Sequence, residues 1–209
     1  MTLLTIIAVG LFSLGIGSIN TNTVKDYENF ASINMSKGKL IRNWTTNEIN
    51  TYKSKVPSKR KFYGWQVYMV NEEVECSFES EILFSFYNTG TSTMEYNKTI
   101  TYAKAVKTSI SCTGSIGYTV SGTIKKFKNN LDTEVKYSYS SSTSTEEKQT
   151  DTLKITVEPG YKAIVYMTGT ARVTNGYGQH YIFWCKNNSG AFEYFTITDQ
   201  YPRVKKVAI

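Results

Sequence analysis

Proline, cysteine and histidine are scarce in this 209-residue sequence, which contains three prolines, three cysteines and one histidine. Helical hydrophobic patterns are missing after the first third of the chain, whereas Tyr, Thr, Ser and Val are abundant. These residue types are enriched in β-strands. We therefore predict an all-β fold, and the length suits a single domain.

The few cysteines and the lone histidine limit the chemistry that the chain could support. Cys76, Cys112 and Cys185 allow at most one disulfide within a chain and leave one thiol over. Cys76 and Cys112 alternate with apolar neighbours, so we expect both to be buried in strands. Cys-x-x-Cys pairs are missing and His180 has no metal-binding neighbour in the sequence, so we predict neither a metal site nor a cofactor.

Catalytic and nucleic-acid-binding motifs are missing as well. Tyrosines flank His180, and the chain contains neither Gly-x-Ser-x-Gly nor an acidic dyad. The formal charge of +7 favours anionic surfaces, but none of the basic clusters lies on a helix with a groove-reading pattern. We predict that the protein is not an enzyme and does not bind nucleic acid.

Residues 1–18 are uncharged and almost entirely apolar, and polar residues follow them. The segment is too short for a transmembrane helix and is typical of the core of a secretory signal peptide, with small residues at Gly15 and Gly17 for cleavage. We therefore predict a signal peptide over residues 1–18 and a secreted protein. An uncleaved membrane anchor is the alternative.

Residues 19–61 are predicted to form a partly helical segment that ends in a basic linker. Capping-box patterns at Thr23 and Thr45 predict two short helices, the second ending near Tyr52. The linker is either a solvated loop or an exposed cleavage site for a trypsin-like protease that would release an N-terminal guard. Its cleavable residues are Lys59, Arg60 and Lys61.

Residues 62–209 are predicted to form an elongated antiparallel β-sheet or sandwich. The strand patterns cover residues 63–70, 73–78, 82–87, 94–106, 161–170, 181–185 and 192–198. Turn signals occupy residues 88–91, 158–160, 174–178 and 187–190. We expect Trp184 inside a buried strand and the basic tail 203–206 on a frayed surface.

The longest alternating pattern covers residues 108–157. Small and apolar side chains alternate up to Ile124, polar residues 125–130 interrupt them, and the alternation resumes at Leu131. This predicts a long two-armed hairpin with a cationic turn. Arms 116–124 and 131–139 are long enough for transmembrane β-strands, which need roughly 9 to 11 residues, if several chains close a barrel. Half-exposed strands of a soluble sandwich are the alternative.

The order of these segments resembles the aerolysin-like pore-forming proteins, in particular their epsilon-toxin and mosquitocidal-toxin branch. The resemblance is carried by residues 82–90, 96–106, 108–123, 125–130, 137–145 and 155–162. It implies a secreted protein that oligomerises on a target-cell membrane and refolds an insertion loop into a transmembrane β-barrel. It implies no particular receptor.

The resemblance places the insertion hairpin at residues 115–139. The membrane-inserting side chains would be Ile116, Tyr118, Val120, Ile124, Phe127, Val135, Tyr137 and Tyr139. The pore-lining side chains would be Thr119, Ser121, Glu134 and Lys136. The expected partners are a target membrane and further copies of the chain. The alternative function is a non-lytic secreted β-sandwich that binds a cell surface or glycan through its Tyr-rich faces.

Overall fold

The computed structural model describes residues 30–104, 108–112 and 148–209, with the backbone alone over 108–112. The strands are β1 Phe30–Met35, β2 Tyr63–Asn88, β3 Met94–Ala103, β4 Thr108–Cys112, β5 Lys148–Val157, β6 Tyr161–Ile182 and β7 Cys185–Ala208. A 3-10 turn at Ile41–Asn43 and helix α1 at Thr46–Lys55 lie between β1 and β2. The predicted all-β, antiparallel class is confirmed, and in the described ranges all helix precedes Phe62.

Three long strands, β2, β6 and β7, form the spine of the molecule. They contain 26, 22 and 24 residues, against roughly 5 or 6 in an ordinary strand. At about 3.3 Å per residue the spine extends roughly 70 to 85 Å along its strands. All its pairings are antiparallel, β1 and β4 flank it, and the strand order is β1-β2-β6-β7-β4.

The three strands predicted between residues 63 and 87 are one continuous strand, β2. Register shifts occur between Met69 and Val74 and again between Glu79 and Phe84, at the polar positions that separate the predicted strands. Glu73 adopts a left-handed φ of 45° at the first of these sites. Bulges of this kind bend a strand without ending its pairing, so the polar interruptions do not become turns.

A second, two-stranded sheet consists of β3 and β5, paired from Met94↔Val157 to Ala103↔Lys148. Apolar side chains of β5 pack on the end of the spine where β6 begins. This cluster contains Ile155, Val157, Ala163 and Val165, with Phe84, Phe86 and Tyr96 packed against it. The buried side-chain amide of Asn88 stabilises the turn between β2 and β3. It donates to the carbonyls of Ser92, at 2.7 Å, and of Val157, at 2.8 Å. The predicted turns at 88–91 and 158–160 are confirmed.

The continuous hairpin predicted over residues 108–157 is wrong at its outer ends. β4 pairs with β7, as in Cys112↔Phe192, whereas β5 pairs with β3. The two strands belong to different sheets because β7 offers β4 an open edge and the apolar side chains of β5 are buried against the spine. Residues 113–147, which include the predicted insertion hairpin 115–139, lie outside the described residues.

The helix predicted after Thr23 is wrong over the part that the structure describes. Residues 30–35 form β1, which pairs with β2 from Phe30↔Ser80 to Met35↔Cys76. Phe30 stacks on Phe78 with ring centroids 4.5 Å apart. Tertiary packing of this kind outweighs a weak helical spacing. The second helix is confirmed as α1, which begins after Thr45 and extends to Lys55 instead of ending near Tyr52.

Two predicted turns and the predicted fraying of the tail are also wrong. Residues 174–178 lie within β6, residues 187–190 lie within β7, and the tail pairs with β6 through Tyr166↔Arg203 and Ala163↔Lys206. A Cβ at Gly176 would collide with the Tyr68 carbonyl oxygen on the neighbouring strand. The glycine therefore permits close strand approach and does not mark a reversal of the chain.

A buried polar network holds the N-terminal segment on the spine. The Glu193 carboxylate accepts hydrogen bonds from the Ile41 N–H, at 2.9 Å, and from Asn175 Nδ2, at 2.8 Å. Asn175 Nδ2 also donates to the Lys39 carbonyl at 3.0 Å, and Asn71 donates to Asn175 Oδ1 at 2.7 Å. Because buried polar groups require partners, these amides fix the path of the chain into α1.

Candidate functional site

The turn between β6 and β7 consists of Phe183 and Trp184. Both residues adopt left-handed backbone angles, with φ of 47° and 62°. A two-residue hairpin turn with both φ values positive strongly favours Asn-Gly, because a side chain in this region costs about 1–2 kcal/mol per residue. Both side chains are nevertheless large and exposed, at 66% and 55% of their surface. Phe and Trp at these two positions are therefore unfavourable both for the backbone conformation and for the exposure of apolar surface.

Phe62, directly before β2, and Tyr63, the first residue of β2, add further rings to this turn. Phe62, 52% exposed, meets Phe183 and Trp184 edge to face, with centroids 5.0 and 4.9 Å away. Tyr63, 60% exposed, pairs with Ile182 of β6. We call Phe62, Tyr63, Phe183 and Trp184 the aromatic tip. Clustered exposed apolar groups of this kind mark interaction surfaces.

A packed layer supports the aromatic tip from beneath. The buried Trp65 ring lies 4.9 Å from His180, and a Cβ at Gly178 would be 3.2 Å from the same indole, so this ring covers the glycine. His180 also contacts Tyr63, with centroids 5.3 Å apart. Burial lowers the pKa of His180 from 6.5, so the imidazole is neutral at pH 7. The histidine acts here as a packing residue.

The segments around the aromatic tip carry positive charge alone. Residues 53–71 and 174–192 contain no aspartate or glutamate. Their basic residues are Lys53, Lys55, Lys59, Arg60, Lys61 and Lys186. One of them, Lys55, places its ammonium 5.3 Å from the centre of the Tyr68 ring. Charge of one sign beside an apolar surface attracts anionic partners over a distance of several ångströms.

The predicted protease-sensitive residues belong to the same surface. Lys59 and Arg60 are exposed and Lys61 is half-buried, in the loop between α1 and β2 that leads directly to Phe62. The Lys59 carbonyl accepts a hydrogen bond from the Gln66 side chain, which ties the loop to β2. The structure thus brings the basic linker and the aromatic tip together. Cleavage in the linker stays a prediction.

No protein-family model matches the chain, and neither a curated protein nor a solved structure is detectably similar to it. Over residues 30–104, 108–112 and 148–209, no group of three His, Cys, Asp or Glu side chains is placed to hold a metal ion. Within the same part of the chain, none of the helices has the length and hydrophobicity to span a membrane. The functional argument therefore rests on the sequence pattern and the geometry of this chain itself.

An open groove of about 530 Å³ lies at the root of the β3–β5 pair, beside β7. The Tyr102 hydroxyl donates to the Asp151 carboxylate at 2.6 Å. Partial burial and then this hydrogen bond raise the pKa of Tyr102 to about 12, and the same bond lowers the pKa of Asp151. Gln149 also donates to Asp151, at 3.1 Å. Since these central groups satisfy one another, we assign no ligand to the groove.

The predicted membrane-inserting and pore-lining residues lie between residues 113 and 147, outside the described residues, so their roles stay predictions. The structure describes the strands on either side. β4 ends at Cys112 beside Phe192, and β5 begins at Lys148 beside Ala103. From Thr108 to Cys112 the partners of β4 descend from Thr196 to Phe192, so this strand runs toward the aromatic tip.

Sequence analysis missed the aromatic tip. The prediction of a buried strand over residues 181–185 is wrong, since Phe183 and Trp184 form an exposed turn and Cys185 is exposed. The physical reason is that an apolar run is typical of burial, and nothing in the local sequence signals a reversal at Phe-Trp. A usable signal was present in the sequence, because basic and aromatic residues are close neighbours at residues 59–63 and 183–186.

Proposed function

We propose that this protein is secreted and forms oligomeric pores in a target membrane, inserting residues 115–139 of each copy as one hairpin of a shared β-barrel. The observation that carries the proposal is the period-two pattern of the two arms of this segment: small or hydroxyl residues alternate with largely apolar ones up to Ile124, and polar residues alternate with largely apolar ones from Leu131 to Tyr139. One hairpin cannot satisfy its own edge groups in lipid, so several copies must close the sheet.

The way in which the segment is attached supports its release. Its flanking strands, β4 and β5, pair with β7 and β3 respectively and not with each other. Residues 113–147 could therefore move without breaking either pairing. Contacts among described residues hold the clusters around Phe78 and around Val157, and a change in the position of residues 113–147 would leave those contacts in place.

The β3–β5 pair supplies a second supporting observation. Thr99 pairs with Thr152, with 3.3 Å between the hydroxyl oxygens, and Thr101 pairs with Thr150 at 3.0 Å. All four threonines are exposed. They give this sheet a hydroxyl-lined face of the same character as the alternation over residues 108–123. Such a face suits a wall that contacts water.

Matched lysine substitutions on the two faces of the hairpin test the proposal. Val120→Lys places a charge toward lipid, which costs roughly 2 to 4 kcal/mol per chain at the bilayer centre, so it should abolish dye leakage from liposomes. Ser121→Lys places the same charge in the lumen and should preserve leakage while shifting ion selectivity toward anions.

Fluorescent probes at the same two positions supply the control. A polarity-sensitive dye at position 120 should brighten on liposomes, and a dye at position 121 should not. Equal responses at both positions would overturn the proposal. Surface binding without leakage and without any response at position 120 would favour the alternative, a non-lytic protein that binds a cell surface or glycan.

A further inference from the structure

We infer that the aromatic tip and its basic surroundings form a docking surface for the interface of an anionic phospholipid bilayer. This extends the proposed function, on which the identification of the partner as a membrane rests. The surface consists of the four rings of the tip, flanked by the linker residues Lys59, Arg60 and Lys61 and by Lys186.

The first argument is that the turn carries costs that its fold does not require. Asn-Gly would adopt the positive φ values of residues 183 and 184 without strain and would expose no apolar surface. Phe183 and Trp184 instead have strained backbone angles and exposed apolar rings. A backbone outlier with exposed rings points to a use for those rings, and a partner that buries them would recover the cost of exposure.

The second argument concerns the chemistry of that partner. Trp and Tyr concentrate at membrane–water interfaces, where an apolar ring and a polar group are both accommodated. Phe62 and Phe183 carry no hydrogen-bonding group on their rings, so a sugar would gain little specificity from them. The rings also project from the end of a hairpin and not from a concave pocket, which suits a fluid interface better than a folded ligand.

The third argument is charge. Among the described residues, the two segments at this end of the spine, residues 53–71 and 174–192, contain basic residues and no carboxylate. Basic residues near a bilayer are attracted by anionic headgroups, and this attraction weakens as salt shortens the screening length from about 10 Å at 0.1 M to about 3 Å at 1 M. Rings and charges therefore favour the same partner.

The experiment measures binding to vesicles with the full-length mature protein that carries Val120→Lys, so that hairpin insertion does not contribute. The test variant adds Phe183→Asn and Trp184→Gly, which remove two rings and supply the turn sequence that this backbone prefers. We expect its thermal stability to be unchanged or higher. We expect its affinity for vesicles of phosphatidylcholine with phosphatidylserine to fall at least about tenfold.

The matched control replaces two exposed rings at the other end of the spine. Tyr87→Asn with Tyr161→Asn removes comparable aromatic surface there and should leave vesicle binding unchanged. Lys59→Ser with Arg60→Ser and Lys61→Ser should weaken binding to the anionic vesicles. Raising the salt from about 0.1 M to about 1 M should weaken it as well.

Three results would overturn the docking surface. One is wild-type affinity in the Phe183→Asn/Trp184→Gly variant, and another is equal loss in the control. The third is binding to immobilised polysaccharide but to neither anionic nor neutral vesicles, which would make the tip a carbohydrate surface. Failure of the pore is separate, because it would leave tip-dependent vesicle binding intact while the dye at position 120 stays dark.

Discussion

At the scale of single residues, the two cysteines whose side chains are described differ sharply in environment. Cys76 is buried and its thiol donates a weak hydrogen bond to the Ala171 carbonyl, with Sγ 3.4 Å from the oxygen. Burial raises the pKa of this thiol to about 11. Cys185 is exposed beside the aromatic tip. The expectation of a buried Cys76 is confirmed, and the side chain of Cys112 lies outside the described residues.

This contrast predicts selective alkylation. Because the thiolate is the reactive form, Cys185 should react with iodoacetamide at pH 8 within the time of an ordinary labelling experiment, whereas Cys76 should react after unfolding in urea. Peptide mass spectrometry of samples labelled before and after denaturation distinguishes the sites. Cys185→Ser provides the control by removing the fast event. Equal rates at Cys76 and Cys185 in the native protein would contradict the prediction.

At the scale of elements, helix α1 shows how a local motif responds to pH. The Thr45 hydroxyl accepts from the Glu48 N–H at 3.2 Å, and the Glu48 carboxylate accepts from the Thr45 N–H at 2.8 Å. Glu48 also pairs with Lys39 at 2.7 Å. The bond from Lys39, followed by those from Thr45, lowers the pKa of Glu48 from 4.5 to about 2.

A lowered pKa in the folded state stabilises the fold above the unfolded value and loses that effect as the pH falls toward the folded value. Glu48 should therefore contribute fully above pH 4.5 and progressively less down to about pH 2. We expect Glu48→Gln, which cannot titrate, to reduce the drop in urea midpoint between pH 6 and pH 3. Glu95→Gln, at an exposed pair with Lys154, is the control. An unchanged drop in the Glu48 variant would refute this.

The predictability of each element depended on whether its cause was local. The capping box at Thr45 correctly predicted α1, because all its hydrogen bonds lie within four residues. The alternation in β2, β6 and β7 predicted strands for the same reason. Their lengths were not predictable, because bulges at Met69–Val74 carry the pairing through polar residues that resemble turns.

Misassigned turns arose where distant residues decide the backbone. Asn175 and Gly176 resemble a turn in sequence, yet Asn175 binds Glu193 and Asn71, and Gly176 faces the Tyr68 carbonyl across the strand pair. Phe183 and Trp184 show the reverse error, a turn built from residues that avoid turns. The aromatic tip contains this unexpected turn, so the apolar pattern of the sequence alone could not locate it.

At the scale of the whole molecule, the basic linker joins an N-terminal segment to the spine that holds it. β1 pairs with β2, the Ile41 N–H binds Glu193, and Trp44 and Val56 are buried against Tyr177 and Ala191. These contacts join the N-terminal segment to residues of β2, β6 and β7. None of them requires the linker to be intact. Cleavage alone would therefore not free the segment.

Limited trypsin digestion tests this attachment. A cut at Lys59–Lys61 should give two fragments that elute together in size-exclusion chromatography under native conditions and separate in urea. The contacts of Ile41, Trp44 and Val56 supply the physical reason. Lys59→Ser with Arg60→Ser and Lys61→Ser should abolish this cut. Separate elution in native buffer would show that cleavage does release the segment.

The pairing of β2 with β6 also sets the order in which the chain can fold. Tyr63 pairs with Ile182 and Asn88 with Tyr161, so the 26 residues of β2 emerge from the ribosome long before their partners. Contacts so distant in sequence form slowly. The central sheet can form only after β6 has been synthesised. Until then β2 lacks the strand with which most of its residues pair. Throughout that interval the edge of β2 that will face β6 stays open to pairing with other chains.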